Sequence, residues 1–333
     1  MITLNVNKFI GTLTNLIAYT RALDTQDTRG LDRLLNMFRG ANLPTGDGVI
    51  IRSTGIPTVT DLDTANSTIL TVNKPIIKEQ YIPIKEYKKV QITINNYLMG
   101  SAFTRPEAMG ELIGLILKSM QTAEKLYLYE KVVGSTEGDD AYGLSSLADG
   151  KLTGNSDVSA SDLSLSFEIE AEGLDISTAQ TATDKLAVRT YNTKLFVRKL
   201  IEQIKGIEKG VYNSLNGVKS LTARDNLVCI MTDAMMASID VDLMATLLNS
   251  EYLNDPIKID IITITGWLGE SPDNRVLLLQ KNGYMYGFYY EVTTSFFDPS
   301  NLNTNNWLHF AYYSGIVESG IVGTITVTNM GFE

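Results

Sequence analysis

The run TRPEAMGELIGLILKSMQTAEKLYLYEKVV, residues 104–133, constrains this chain more than any other feature. Met109, Leu112, Ile113, Ile116, Met120, Ala123 and Tyr127 recur at the i, i+3, i+4, i+7 spacing that sets apolar side chains on one face of an α-helix. Thr104 and Glu107 form a capping box: the threonine hydroxyl accepts from the amide three residues on, and Glu107 reaches back. Gly134 closes the helix. At 1.5 Å per residue, a helix of about 29 residues is about 43 Å long. Globular helices average about 11 to 12 residues. The pattern predicts a spine.

What precedes the spine does not make a core alone. Residues 1 to 40 mix short apolar clusters with Arg21, Arg29, Arg33 and Arg39, and Gly30 and Gly40 are expected to interrupt any helix. This is an arm of one or two helical turns that depends on a neighbour for its order. From Gly46 to Asn96 the character turns to β: Val90, Ile92 and Ile94 recur at period two, as do Ile82 and Ile84, while Pro57 and Pro75 suit strand edges. A long two-stranded ribbon is marginal in water, so it packs on its own domain or lies on another subunit. Over residues 68–97, Lys74, Lys78, Lys85, Lys88 and Lys89 stand against only Glu79 and Glu86. Lysines along an edge guard against aggregation or touch a partner.

Beyond the spine, residues 135–184 hold eleven acidic side chains and Lys151 alone, which accounts for the whole net charge of −10. They are rich in Gly, Ser, Asp and Thr and read as exposed loops and short strands. A second amphipathic helix carries Val197, Leu200, Ile201 and Ile204 and is expected to end at Gly206. DNLVCIMTDAMMASIDVDLMATLLN, residues 225–249, then reads as a buried strand over 227–231 running into a helix lined by Met236, Ile239, Leu243 and Leu247. Thr232 or Asp233 caps that helix, and Asp240-Val241-Asp242 sits mid-helix on a solvated face. Strands follow at 258–264, 275–280 and 284–293, and NNWLHFAYYSGIVES and GTITVTNM close the chain as two more.

Chemistry is sparse. One histidine, His309, and one cysteine, Cys229, cannot supply the three or four nitrogen or sulfur ligands of a zinc site without carboxylates. Cys229 lies between Val228 and Ile230 as a small core residue. There is no G-x-S-x-G elbow, and no Gly-rich phosphate cradle follows a strand. No catalytic residue, cofactor site or metal site is assigned. No basic stripe marks a nucleic-acid reader, no apolar run reaches the roughly 18 residues of a membrane span, and the N-terminus has no signal-peptide pattern.

Arm, ribbon, spine and mixed domain, in that order, resemble the HK97-like major capsid proteins of tailed bacteriophages. The run 225–249 is similar to the strand–loop–helix of coat proteins of small short-tailed phages, with its (L/I)DVDxLA-like helix. IKIDIITI, RVLLLQKNGYMYGFYYEVT and NNWLHFAYYSGIVES continue the likeness. The resemblance implies an α+β HK97-like fold: an N-terminal arm at 1–40, an E-loop β-hairpin at 41–100, and a spine helix of the P domain at 101–134. An A domain with an acidic loop region at 135–184 spans 135–295, and return strands of the P domain 296–333. It implies a structural protein, not an enzyme, that self-assembles into hexamers and pentamers of an icosahedral shell in the host bacterial cytoplasm. That shell encloses double-stranded DNA without sequence-specific binding, with portal, scaffold and decoration proteins as partners. The chain is expected to leave no room for an immunoglobulin-like domain, and any scaffold is expected to be a separate protein or unnecessary. Lys74, Lys78, Lys85, Lys88, Lys89, Arg21 and Arg33 are the candidate contacts between subunits. Relatives that cross-link chains through lysine and asparagine direct attention to Asn301, Asn303, Asn305 and Asn306, which read instead as loop residues beside strands. An encapsulin-like compartment around a cargo enzyme and a soluble α/β enzyme are the rival readings.

Overall fold

The computed structural model describes residues 28–42, 46–56, 76–95, 106–134, 143–144, 168–172, 174, 181–213, 218–248, 259–264, 275–298, 300, 303–317 and 321–328. The readings placed on Arg21, Pro57, Lys74, Pro75, Thr104, Asn301 and most of 135–184 lie outside these residues. The chain divides into two compact units. One comprises Met1–Gly48, Pro83–Glu130 and Tyr286–Ser314; the other Val49–Ile82, Lys131–Met285 and Gly315–Glu333.

In the first unit, α1 spans Arg29–Phe38, so Gly30 does not break the arm. Gly30 sits in the first turn, where amides have no helical partner in any case. Leu34, Leu35 and Phe38, all buried, hold the helix down. The spine helix α2 spans Pro106–Val133, with proline at its first position, where the missing N–H is no loss. Its buried stripe differs from the one expected. Met120, Glu124 and Leu128 are buried at i, i+4, i+8, whereas Ala123 is exposed. Tyr127 is only half-buried because its hydroxyl donates to Glu86 Oε2 at 2.8 Å and lies 3.1 Å from the Tyr312 hydroxyl.

Three strands accompany α2 in this unit. β2 (Ile77–Asn95) enters it at Pro83, β9 (Tyr284–Asp298) at Tyr286, and β10 (Asn303–Ile316) leaves it after Ser314. β10 is central, between β2 and β9. It pairs antiparallel with β2 from Asn303↔Asn95 to Tyr313↔Ile84, with a bulge between Tyr312 and Tyr313. β2 is therefore not half of an isolated ribbon: from Ile84 to Asn95 it is zipped to β10. Val90, Ile92 and Ile94 are half-buried there between exposed neighbours. Asn303, Asn305 and Asn306 lie within β10 rather than in a loop. Phe310 meets Tyr127 and Phe288 edge to face.

Tyr313 ties the arm to this sheet. Its hydroxyl donates to the carbonyl of Ala41 at 2.6 Å, and its ring lies where a side chain on Gly287 would be, 2.5 to 2.7 Å from an added Cβ. Gly287→Ala is expected to displace the ring, break that hydrogen bond and cost about 1–3 kcal/mol, read as a lower denaturant midpoint at unchanged slope.

The second unit is built on a five-stranded sheet of β3 (Glu168–Glu172), β11 (Ile321–Thr328), β8 (Arg275–Gln280), β6 (Leu227–Thr232) and β7 (Asp260–Ile264), neighbours in that order. β4 (Val211–Asn213) and β5 (Val218–Ser220) form a separate antiparallel pair. β6 and β7 run parallel, which requires the helical crossover between them. β8 is antiparallel to both β6 and β11. β6 is buried along its length, as are Val276 to Leu279 of β8. Such unbroken apolar runs are what a strand covered on both faces requires. One covering layer is α3 (Ala182–Glu208), whose Phe196, Val197, Leu200 and Ile204 share a core with Leu227, Cys229, Met231, Val276 and Leu278. This helix does not stop at Gly206: it runs to Glu208, and Gly210, at φ +104°, makes the turn away.

β11 corrects the expectation that 296–333 returns whole to the spine's unit. It lies here, parallel to β3 and antiparallel to β8. A terminal strand goes where two open edges accept its ladder. Burial pushes the Cys229 thiol up to about 12, consistent with a core side chain.

The corner after β6 is capped by Thr232, whose hydroxyl accepts from the Met235 amide at 3.1 Å; Asp233 is the first helical residue, not the cap. The helix expected to run through Asp240 is two: α4 (Asp233–Ser238) and α5 (Val241–Leu248). Asp240 starts the second, its carboxylate accepting from the Leu243 amide at 3.0 Å. The break is fastened to α3, where buried Thr193 accepts from the Asp240 amide at 2.9 Å and donates to the Arg189 carbonyl at 2.7 Å. Thr232, Asp240 and Thr193 are thus spent on holding the fold.

Candidate assembly surface

Among the described residues no group of three His, Cys, Asp or Glu side chains is placed to hold a metal, and none of their helices is long and apolar enough to cross a membrane. The feature that asks for a partner is the ribbon.

From Val49 on, β1 (Gly48–Thr54) lies in the second unit together with the first residues of β2, up to Ile82. The Gly55 amide donates to the Ile76 carbonyl at 2.9 Å, and Arg52 pairs with Glu79 at 2.7 Å. Successive strand side chains alternate between faces. Ile82 is buried and Gln80, whose amide donates to the Ile316 carbonyl, is half-buried, so these two side chains of β2 look inward, while Lys78 before them is exposed. The odd positions Ile77, Glu79 and Tyr81 look out, and the ion pair brings Arg52, with Ile50 two residues before it, to the same side.

That outer side is apolar. Ile50 is 58% exposed, Ile77 57% and Tyr81 48%, with Ile56 similarly bare at the far end. A single exposed isoleucine is unremarkable, but a contiguous group of them around one exposed ion pair marks an interaction surface. The Arg52–Glu79 pair contributes at most about 1 kcal/mol while exposed.

The candidate contact residues separate on inspection. Lys78 and Lys89 are exposed on β2. Lys88 is engaged within its own unit: it pairs with Glu86 at 2.7 Å and lies 5.6 Å from the Tyr127 ring centroid. Arg33 is exposed on α1. The side chains of Lys85 and Glu107 are outside the described set, as are Arg21, Lys74 and Thr104. The positive character of the ribbon thus rests, among described residues, on Lys78, Lys89 and Arg52. Ile50, Ile77 and Tyr81 are not among the contacts expected from the sequence. The alternation through 77–82 carries their signal, but it reads equally as a face for the chain's own core.

No curated protein sequence matches the chain. Its fold is similar to solved phage capsid structures. The capsid of Staphylococcus phage Andhra aligns with a TM-score of 0.58 at 10% identity over 88% of this chain and 83% of that one. The capsid of the cyanophage P-SCSP1u gives 0.52 at 11% over 88% and 87%, and the capsid of a native GTA particle 0.56 at 8% over 91% of both. These likenesses establish an α+β, HK97-like capsid fold. The family model for the Phi29-like phage major capsid protein matches residues 3–317. A structural role in the virion capsid, and not an enzyme's or a cargo compartment's, follows from the fold and that match together: the chain belongs to the Phi29-like phage major capsid proteins.

Proposed function

We propose that this capsid subunit closes into an icosahedral shell of hexamers and pentamers, and that the outer side of its β1–β2 ribbon lies on the neighbouring subunit. The supporting observation is the apolar group Ile50, Ile77 and Tyr81, which its own chain leaves bare. A standard interface buries on the order of 1,600 Å². Repeated around closed rings, moderate contacts add up to a shell that is hard to dissociate. In this reading 41–100 act as the E-loop, 101–134 as the spine of the P domain and 135–295 as the A domain, with β10 returning to the spine. The shell assembles in the host bacterial cytoplasm around packaged double-stranded DNA. It contacts portal, scaffold and decoration proteins, and its overall acidic charge suits a container that need not grip the DNA.

Charge sets the register of this contact more than its strength. The exposed Lys78 and Lys89 meet the acidic stretch 135–184 of a neighbour. Reversing both, Lys78→Glu with Lys89→Glu, is expected to slow assembly several-fold at low salt and to flatten its dependence on ionic strength. Light scattering of assembly from about 50 to about 500 mM salt reads both, a range that spans strong and weak screening. A profile indistinguishable from wild type would sink this pairing.

A further inference from the structure

The spine carries a carboxylate where an apolar side chain belongs. Glu124 lies one turn after Met120 and one before Leu128 on the buried stripe of α2, is 5% exposed, and its Oε1 has no hydrogen-bond partner among the described residues. A carboxylate taken out of water without partners is costly, and such a group keeps its proton instead.

Charged and titratable groups approach it from each element packed there. β9 supplies Glu291 and Tyr286; the exit of α1 supplies Arg39; α2 itself supplies Lys125, and Asp32 of α1 acts on Tyr286 and pairs with Lys125. The two cations do not neutralise it. Lys125 is committed to Asp32 at 2.7 Å, with Thr28 Oγ1 at 3.3 Å, and Arg39 is exposed to solvent. Burial first, then the charge of Glu291, push the Glu124 carboxyl from its ordinary 4.5 up to about 8, against the smaller pull of Arg39 and Lys125.

We propose that Glu124 is a proton-operated lock on the first unit: it enters the fold as the neutral acid, and its ionisation loosens the seat of α1 and β9 on the spine. Three contacts converge on this seat. Leu34, Leu35 and Phe38 bury the arm helix, Lys125 and Asp32 fasten it, and the Gly40 amide donates to the Tyr286 carbonyl of β9 at 2.7 Å. A charge appearing beneath them must be hydrated, and water reaches it only if one of these elements moves. The lock belongs to the single chain and does not depend on how subunits meet.

Folding raises this pKa, so the stability it confers is complete below the ordinary value of 4.5 and is lost as pH rises toward about 8, beyond which the loss levels off. Denaturant unfolding of the full chain between about pH 5 and pH 9 tests this, comparing wild type with Glu124→Gln, which keeps the shape and removes the titration. The ratio of their unfolding constants is expected to grow about tenfold per pH unit through that window and to level off near pH 8. Glu291→Gln, an exposed change, is expected to move the levelling-off to lower pH by removing the like charge, and it carries the test if Glu124→Gln does not fold. A wild-type to Glu124→Gln ratio that stays constant across the window overturns the proposal. In the second arm, an unshifted Glu291→Gln profile does the same.

Discussion

Placing aspartate at both Ile50 and Ile77 is expected to abolish closed particles while leaving the stability of the separate subunit within about 0.5 kcal/mol of wild type, the usual range for exposed sites. Both side chains are more than half exposed in the single chain, so the subunit loses little when they change. Against a neighbour the balance is different. Fully burying an isoleucine stabilises by about 1.5–3 kcal/mol, and the replacement adds the cost of an uncompensated charge beside Glu79. The loss is on the order of 5 kcal/mol per contact, and in the proposed ring every subunit makes that contact. Sedimentation separates particles from subunits, and thermal melting of the subunit fraction checks its fold. Particles of normal yield would show that this side of the ribbon faces solvent in the shell.

Phe310→Ala acts the other way, on the subunit itself. Phe310 is buried at the centre of β10. Its ring stands 6.0 Å from Tyr127 at 64° and 6.4 Å from Phe288 at 83°, with Tyr312 at 6.2 Å. Truncating a core phenylalanine costs about 3–5 kcal/mol through lost transfer energy and the cavity left behind. Each edge-to-face pair removed adds about 0.5–1.5 kcal/mol. The spine is held to its sheet through Tyr127, so loss of the ring is also expected to loosen the bond from Tyr127 to Glu86. Denaturant unfolding should show the midpoint falling by a large part of the total stability of a domain this size, typically about 5–15 kcal/mol. A change below about 1 kcal/mol would mean that the aromatic cluster does not seat the spine.

The spine is legible because its repeat persists over many turns, and hardly any structure except a long helix produces a 3.6-residue pattern of that extent. Which face it buries is less so. Counting only apolar residues favours Ala123 and passes over Glu124, although Glu124 sits in register between Met120 and Leu128. A carboxyl that is buried neutral leaves no apolar mark. The core strands β6 and β8 announce themselves by continuous apolar runs, and Cys229 by its neighbours. β11 does not: the alternation in GTITVTNM says that one side is buried but not which open edge receives it, a choice made by tertiary structure. The same limit hides the ribbon's outer side. An isoleucine in a strand carries one signal whether its cover comes from its own chain or the next copy. Short polar side chains at the 232–240 corner read as one capped helix, yet Asp240 competes for backbone amides and starts a new one.

The most direct measurement is a reconstruction of assembled particles by electron cryomicroscopy at side-chain resolution. If the ribbon joins subunits, Ile50, Ile77 and Tyr81 will lie against a neighbouring chain, and the 58% exposure of Ile50 will fall close to zero. A shell in which the outer side of β1 and β2 stays open to solvent, with the subunits joined elsewhere, would contradict that assignment.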